Sequence, residues 1–370
     1  MSDPGFCASH RTSRRRLLAS AGWLALAGGL PGAWRAAAAQ EDAPEHPPAG
    51  ARGRLDAAQL DDVLARAARL PSLRALLIAH RGVEQVAKVF RGAGLDRPVN
   101  VKSVSKSVIA ALVGVAIERG VLAGVDQRIA PLLGDLVPAA ADPRIGAITV
   151  DHLLTMRAGL ERTSGRNYGG WVSSPNWVGD ALARPFVAEP GGRMLYSTGS
   201  YHLLSAALTR SAGTSTLALA RQWLGDPLAI DIPPWTRDPQ GFYLGGNNMA
   251  LAPRALLRFG EMYRQGGAYE DRQVLPGSWV EASWTPRVRS PFTGHSYGYG
   301  WFMARARGHL VCYAWGYGGQ MIYVVPALAL SVAITSDATG PSGRNGYVRA
   351  LHRLLADGIV PAAEGGGAAG

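Results

Sequence analysis

The sequence predicts a mixed α/β (α+β) fold, an antiparallel sheet flanked by helices with an inserted, mainly helical subdomain. Three observations predict it. A strand pair opens the folded part, and several strand-like segments close it. Between them, residues 121–290 mix short helices with Gly- and Pro-marked loops. One sheet built from both ends of the chain, with the helical stretch on its flank, satisfies all three. The chain has 370 residues, 47% hydrophobic and 18% charged. It can bury a large core, which excludes fibrous, wholly disordered and disulfide-scaffold architectures.

Taken in order, residues 1–39 read as an export signal. Arg14-Arg15-Arg16-Leu17-Leu18 after Ser13 resembles the twin-arginine pattern. A glycine-broken apolar stretch too short for a membrane span follows, and small residues 36–39 offer a cleavage site near Gln40. Residues 40–55 form a flexible lead-in rich in Pro, Ala and Gly. The folded domain spans residues 56–358. It opens with a helix over 55–70, where Leu60, Val63, Leu64 and Ala67 share a face. Residues 73–80 and 83–90 form a hairpin about Arg81-Gly82. Residues 103–118 are a strongly apolar helix that belongs in the core, ended by Gly120. Short helices start near Thr149, Tyr201 and Arg254. Strands follow over 298–305, 310–315, 321–325 and 328–335, then a helix over 346–358. Residues 359–370 are expected to be a loose tail.

The net charge is +11. Residues 1–39 carry five arginines and one aspartate, so the remainder holds 33 basic and 26 acidic residues, a net of +7. These are scattered rather than gathered into a stripe, which gives no nucleic-acid footprint. Of the two cysteines, Cys7 leaves with the signal, and Cys312, in a strand-like run, reads as a small buried apolar residue. Neither C-x-x-C nor H-E-x-x-H occurs, so no metal site is expected. No cofactor is expected either.

Ser103-Val104-Ser105-Lys106 is the most informative segment. Spacing of three puts Ser103 and Lys106 on one helix face, and the helix is apolar, so Lys106 points into or beside the core. An unpartnered ammonium is costly to bury, and burial lowers its pKa. A neutral lysine can take the proton that keeps serine a poor nucleophile. Ser103 falls in the first turn, where free N–H groups and the positive helix end favour nearby negative charge. Lysine is also scarce: only Lys88, Lys102 and Lys106 occur, against 35 arginines. Arginine could not serve as a base, since it stays protonated. Tyr196, in Tyr196-Ser197-Thr198, can relay a proton if nearby positive charge lowers its pKa. In Ala314-Trp315-Gly316-Tyr317-Gly318-Gly319-Gln320, Gly316 and Gly318 permit close approach of a ligand to the backbone, and an N–H there could pair with that of Ser103 as an oxyanion hole.

Other residues carry weaker signals. Tyr168, Trp171 and Trp177, in a Gly- and Ser-rich loop, are suited to wall an acyl pocket. Asn247 and Asn248 read as turn residues after Gly245-Gly246. His152 reads as a packing histidine, and His202 and His295 receive no role. No serine is framed as G-x-S-x-G, so an α/β-hydrolase triad has no anchor.

Together, Val101-Lys102-Ser103-Val104-Ser105-Lys106-Ser107, Ile148–Met156, Pro190-Gly191-Gly192, Tyr196-Ser197-Thr198 and Gly318-Gly319-Gln320 resemble, in order and spacing, the penicillin-recognising serine hydrolase superfamily. The branch is the class C β-lactamase-like group, which includes esterases, D-aminopeptidase-like enzymes and 6-aminohexanoate-dimer hydrolases. The resemblance covers residues 56–355 and implies a β-lactamase/transpeptidase-like fold. It makes Ser103 the nucleophile, Lys106 the base and Tyr196 the tyrosine of a Tyr-x-Asn motif that shares in proton transfer. The backbone N–H groups of Ser103 and Tyr317 become the oxyanion hole, and Thr198 joins the substrate-binding set. Thr198 stands where asparagine is usual, and Ala314-Trp315-Gly316 where Lys/His-Thr/Ser-Gly is usual. Both departures argue against efficient β-lactamase or transpeptidase activity. The implied function is an exported, periplasmic or secreted serine hydrolase acting on a small-molecule ester or amide. It would be a monomer or homodimer, without nucleic acid and without stable membrane insertion after signal cleavage. The alternatives are a β-lactamase, a D,D-peptidase or D-aminopeptidase, or a non-hydrolysing penicillin-binding-like sensor.

Overall fold

The computed structural model describes residues 53–340 and 346–366. The expected signal, residues 1–39, and most of the lead-in lie outside them. Strands are numbered along the chain as β1 (Leu73–His80), β2 (Val83–Val89), β3 (Val99–Asn100), β4 (Ala250–Leu251), β5 (Ala268–Tyr269), β6 (Arg272–Gln273), β7 (Val288–Arg289), β8 (Ser296–Tyr297), β9 (Phe302–Ala306), β10 (His309–Gly316), β11 (Gln320–Val325) and β12 (Leu330–Ser336). Eight form one sheet in the order β2-β1-β12-β11-β10-β9-β8-β7, every pairing antiparallel. The two ends of the chain meet where β1 pairs with β12, Leu76 opposite Ile334 and Ile78 opposite Val332.

Local chemistry explains the hairpins. Arg81-Gly82 and Arg307-Gly308 each place two consecutive residues at positive φ, the backbone that a two-residue turn needs to match strand twist. β1 is buried along nearly its whole length, as a central strand must be, whereas β2 alternates and exposes Glu84 and Lys88 at the sheet edge. Cys312 is buried on β10, where burial pushes its thiol pKa up.

Both faces of the sheet are covered. On β11, Ile322 lies against the Pro253–Arg264 helix, and a Cβ on Gly260 of that helix would stand 2.8 Å from Ile322 Cγ2. The next residue, Tyr323, points the opposite way, and its hydroxyl meets His352 Nδ1 at 3.1 Å on the Tyr347–Leu354 helix. Neighbouring strand positions thus assign the two helices to opposite faces. The Ala57–Ala68 helix joins the C-terminal helices, with Asp56 N–H donating to Ala362 O at 2.9 Å.

Two differences from the sequence reading concern the ends. The chain stays helical over Val360–Gly365, with Val360, Ala362 and Ala363 buried, so the expected loose tail belongs to the fold as far as residue 366. Its composition is small and Gly-rich, but small side chains suit close packing against the first helix. Of the expected lead-in, Leu55 is buried and its N–H donates to Gln85 Oε1 at 2.9 Å, so order begins before residue 56. The short strands β3 to β8 were not legible, because pairs of two residues carry no period.

The Ser105–Glu118 helix is buried from Ser105 through Ala116. It is apolar all round because it is surrounded. Helices from residues 121–283 pack around it, among them Thr198–Ala212, and this stretch contributes only small two-stranded pairings. Contact on the far side is tight: a Cβ built on Gly114 would lie 2.5 Å from three ring atoms of Trp279. Gly114→Ala is therefore expected to destabilise the fold by about 1–3 kcal/mol through overpacking. A lower urea midpoint with an unchanged m-value would show this, and an unchanged midpoint would contradict the contact.

Candidate active site

Ser103 stands at a backbone junction that several side chains hold. Lys102 has φ +52°, a left-handed conformation uncommon for a residue with a side chain. Asn100 Oδ1 accepts its N–H at 2.9 Å, and its carbonyl accepts from Ser105 Oγ at 2.5 Å. Ser105 Oγ in turn accepts the Met249 N–H at 3.2 Å, and Asn100 Nδ2 donates to Asn248 Oδ1 at 3.1 Å. Residues Lys102–Val104 then form a single 3₁₀ turn that leads into the helix at Ser105. The predicted helix thus starts two residues later than its sequence pattern suggests. Ser103 occupies the tight turn, partly exposed, with Lys106 buried beneath it.

Lys106 is 2% exposed. Its Nζ lies 2.7 Å from Gly246 O, 3.2 Å from Ser103 Oγ and 3.5 Å from Thr198 Oγ1. It also stands over two aromatic rings, 4.8 Å from the Tyr196 centroid and 5.8 Å from that of Tyr201. Among the described residues no carboxylate pairs with it. Burial without a counter-charge draws its pKa down from 10.5 to about 7. When neutral, the amine can donate to Gly246 O and Thr198 while its lone pair accepts the Ser103 hydroxyl proton.

The nearby Ser103 hydroxyl acts to lower the Tyr196 pKa, but burial outweighs it and raises the value to about 12. The condition set from the sequence, a pKa lowered by nearby positive charge, is not met: at neutral pH the phenol keeps its proton. Lys106 is the group poised to change state, and Tyr196 can only pass a proton it already holds. Thr198 N–H donates to Ser164 Oγ at 2.8 Å, and the two hydroxyls lie 2.9 Å apart, so Thr198 is anchored on both sides.

Gly316 ends β10 against the turn that carries Ser103. A Cβ there would sit 2.3 Å from Val101 O, so only glycine lets the strand approach so closely. Gly318 and Gly319 both have positive φ in the turn to β11. Gln320 is fully buried and exchanges hydrogen bonds with the Ser336 backbone at 2.9 and 3.0 Å, which makes it a staple between β11 and β12. Ala314 is buried, and Tyr317 is 51% exposed.

The aromatic loop is divided. Tyr168 is partly exposed, and its hydroxyl accepts from Asn247 Nδ2 at 3.0 Å. Trp171 and Trp177 are buried: the indole N–H of Trp171 donates to Trp177 O, that of Trp177 to Val172 O, and both rings pack on His202. They stand behind Tyr168 as packing, with Trp171 wholly closed to solvent, so of the three aromatics Tyr168 alone keeps an open face. His202 is buried with Nε2 2.9 Å from Asp238 Oδ2. His152 completes a capping box with Thr149, as suits a packing histidine. Among the described residues no three His, Cys, Asp or Glu side chains are grouped to hold a metal ion.

The segment Gly245–Asn248 was undervalued as a simple turn. A Cβ on Gly245 would lie 2.0 Å from Tyr201 O and one on Gly246 3.0 Å from Thr198 O. Two glycines let the loop press on the Thr198–Ala212 helix, and this delivers the Gly246 carbonyl to Lys106. Asn248, at φ +63°, reaches Asn100. The signal was present as paired glycines between apolar runs, but nothing in the sequence says which helix they approach.

The depressed pKa of Lys106 carries a sign. Between pH 7 and about 10.5 the unfolded chain holds a proton on this residue that the folded chain has lost, so its contribution to stability rises with pH across that window and is flat below it. The slope is at most about 1.4 kcal/mol per pH unit. The difference in unfolding free energy between the native protein and Lys106→Met is therefore expected to shift in favour of the native protein as pH rises from 7 to 10. A difference independent of pH would contradict the assignment.

The β-lactamase family profile matches residues 58–357. Similar solved structures include EstCE1, a hydrolase with promiscuous acyltransferase activity (20% identity, TM-score 0.67, covering 81% of this chain and 98% of that one). A D-stereospecific amidohydrolase from Streptomyces sp. is also similar (18%, 0.63, 82% and 99%). So is a Bacillus anthracis chain provisionally named 6-aminohexanoate-dimer hydrolase (18%, 0.65, 83% and 81%). No curated protein matches the sequence. With four-fifths of its length matched, and with the antiparallel sheet and flanking helices that its relatives share, the chain belongs to the β-lactamase family and is an enzyme of the serine-hydrolase type.

Proposed function

We propose that this enzyme hydrolyses a small-molecule ester or amide through an acyl-enzyme on Ser103, with Lys106 as the base and Tyr196 as the proton relay. One observation carries the reading: the Lys106 amine lies 3.2 Å from Ser103 Oγ, buried, without a carboxylate, and with a pKa near 7. In the first half-reaction the Ser103 hydroxyl gives its proton to neutral Lys106 as Oγ attacks the substrate carbonyl. The N–H groups of Ser103 and Tyr317 are proposed to hold the oxyanion. The position of Ser103 in the first turn and the close fit of Gly316 against Val101 support this pairing. Tyr196, whose ring lies 4.8 Å from the Lys106 amine, donates its proton to the leaving alcohol or amine as Lys106 replaces it. Water then attacks the acyl-enzyme along the reverse path. Lys106 changes state near neutral pH while Tyr196 keeps its proton, so the rise in activity follows the amine.

Thr198, Tyr168, Gly316 and Gly318 are proposed to line the substrate site. Thr198 keeps a hydroxyl where an amide would grip a peptide-like substrate, and Ala314 brings no charge. The departures at Thr198 and Ala314 favour a small ester or linear amide over a β-lactam. Residues 1–39 are proposed to direct export to the periplasm or beyond, and no described helix is long and apolar enough to cross a membrane.

Replacing Ser103 by Ala is expected to abolish both p-nitrophenyl butyrate hydrolysis and fluorophosphonate labelling, with a loss of at least about 10³-fold. Undiminished turnover would overturn the assignment, and stable acylation without turnover in the native protein would favour a sensor. Tyr196→Phe is expected to lower kcat by about 10²-fold or more. For the native enzyme kcat/KM should rise through an apparent pKa near 7 and then level off. A rate flat from pH 5 to 9 would contradict Lys106 as the base.

A further inference from the structure

The rim beyond Tyr196 holds a cation and an aromatic ring that the mechanism does not use. Phe292, in the loop between β7 and β8, is 58% exposed, yet its loop is held: the Ser290 N–H donates to His295 O at 2.8 Å, and Ser290 Oγ accepts from Phe292 N at 3.3 Å. The Phe292 ring meets the Tyr196 ring edge-on, with centroids 6.2 Å apart at 88°. The Arg162 guanidinium lies over the Phe292 ring, 5.6 Å from its centroid.

Arg162 is built into the site through its neighbours. The Thr163 N–H donates to Ser197 Oγ at 3.1 Å, and Ser164 holds Thr198. The Arg162 carbonyl accepts from Asn167 Nδ2 at 2.9 Å and from Arg184 Nη1 at 3.5 Å. Its backbone is therefore fixed while its head has no ion pair among the described residues. The adjacent Glu161 is engaged by Arg184 at 3.4 Å. A guanidinium held near an aromatic ring, with no ion pair among the described residues, is suited to bind a carboxylate in a planar, two-pronged manner. An exposed phenylalanine beside a reacting tyrosine offers apolar surface to whatever passes Tyr196.

We infer that Arg162 and Phe292 form a leaving-group subsite selective for a carboxylate carried on an apolar or aromatic leaving group. This rests on the proposed reaction, because Tyr196 hands its proton to the leaving group and so sets which side of the substrate faces Phe292. The leaving group's body lies along the Phe292 ring, and its terminal carboxylate pairs with Arg162. Arg162 thereby determines specificity without taking part in bond making.

The test compares kcat/KM for 4-(butanoyloxy)benzoate with that for 4-(butanoyloxy)benzamide, which differ only in the leaving group's charge. Their intrinsic reactivities cancel when one ratio is compared between proteins. The carboxylate-to-amide ratio is expected to fall about five- to tenfold in Arg162→Met and by less in Arg162→Lys, as for a partly exposed charged contact. Fluorophosphonate labelling of Ser103 verifies that each variant is folded. In the native enzyme the ratio should also shrink as salt rises from about 0.05 to 0.5 M, because an exposed pair is screened. An equal ratio in native and labelled Arg162→Met protein would overturn the inference. So would a native ratio that does not respond to salt, which serves if the variants do not fold. Failure of the underlying reaction is distinct: neither ester would then depend on Ser103.

Discussion

The structure depends on an amine kept out of water with no negative charge to answer it. The Lys106 ammonium is buried under Ser103 with a backbone carbonyl and hydroxyls as its polar partners. Such an environment satisfies donors but does not neutralise charge, so the neutral form is favoured. A carboxylate at the same place would have held the lysine protonated and unable to serve as the proposed base. What the fold leaves out is therefore as important as what it brings in. The tyrosine rings at 4.8 and 5.8 Å close the site with apolar surface, and this sustains the burial.

Keeping that amine in position requires backbones to approach more closely than side chains allow. Gly316 lets β10 touch the turn before Ser103, and Gly245 and Gly246 let their loop press on the helix that begins at Thr198. Lys102 accepts a left-handed conformation so that Ser103 can start a tight turn, with Asn100 and Ser105 bonded across it. Sheet, helix and helical flank thus converge at one point. The strand brings Gly316, the turn and helix bring Ser103 and Lys106, and the flank brings the Tyr196 phenol and the Gly246 carbonyl.

Much of this was legible in the sequence where it was periodic or locally spaced. The β1–β2 hairpin, the apolar helix after Ser103 and the closing strands follow from alternation and apolar runs. Ser103 and Lys106 follow from a spacing of three, and Tyr196 from its order along the chain. What was illegible needed contacts between distant segments. Gly246 lies far from Lys106 in sequence, and a main-chain carbonyl leaves no mark in residue identity. Trp171 and Trp177 looked like pocket walls because aromatic residues in a Gly-rich loop suggest exposure. Their indole N–H groups instead find backbone acceptors within the same loop, and this allows them to be buried. The rise in the Tyr196 pKa was missed for the same reason: the sequence shows a cationic neighbour but not the burial that outweighs it. The helix over Val360–Gly365 was hidden by a composition that usually marks disorder.

The central claim, that Lys106 is neutral near physiological pH in the resting enzyme, can be measured directly. The chain has only three lysines, Lys88, Lys102 and Lys106, so a protein labelled with ¹³C at the lysine ε-carbon shows few signals, and Lys106→Met assigns the relevant one. The account predicts that this signal titrates with a midpoint near pH 7. A midpoint close to the ordinary lysine value of about 10.4 would show a protonated amine beside Ser103 and contradict the account.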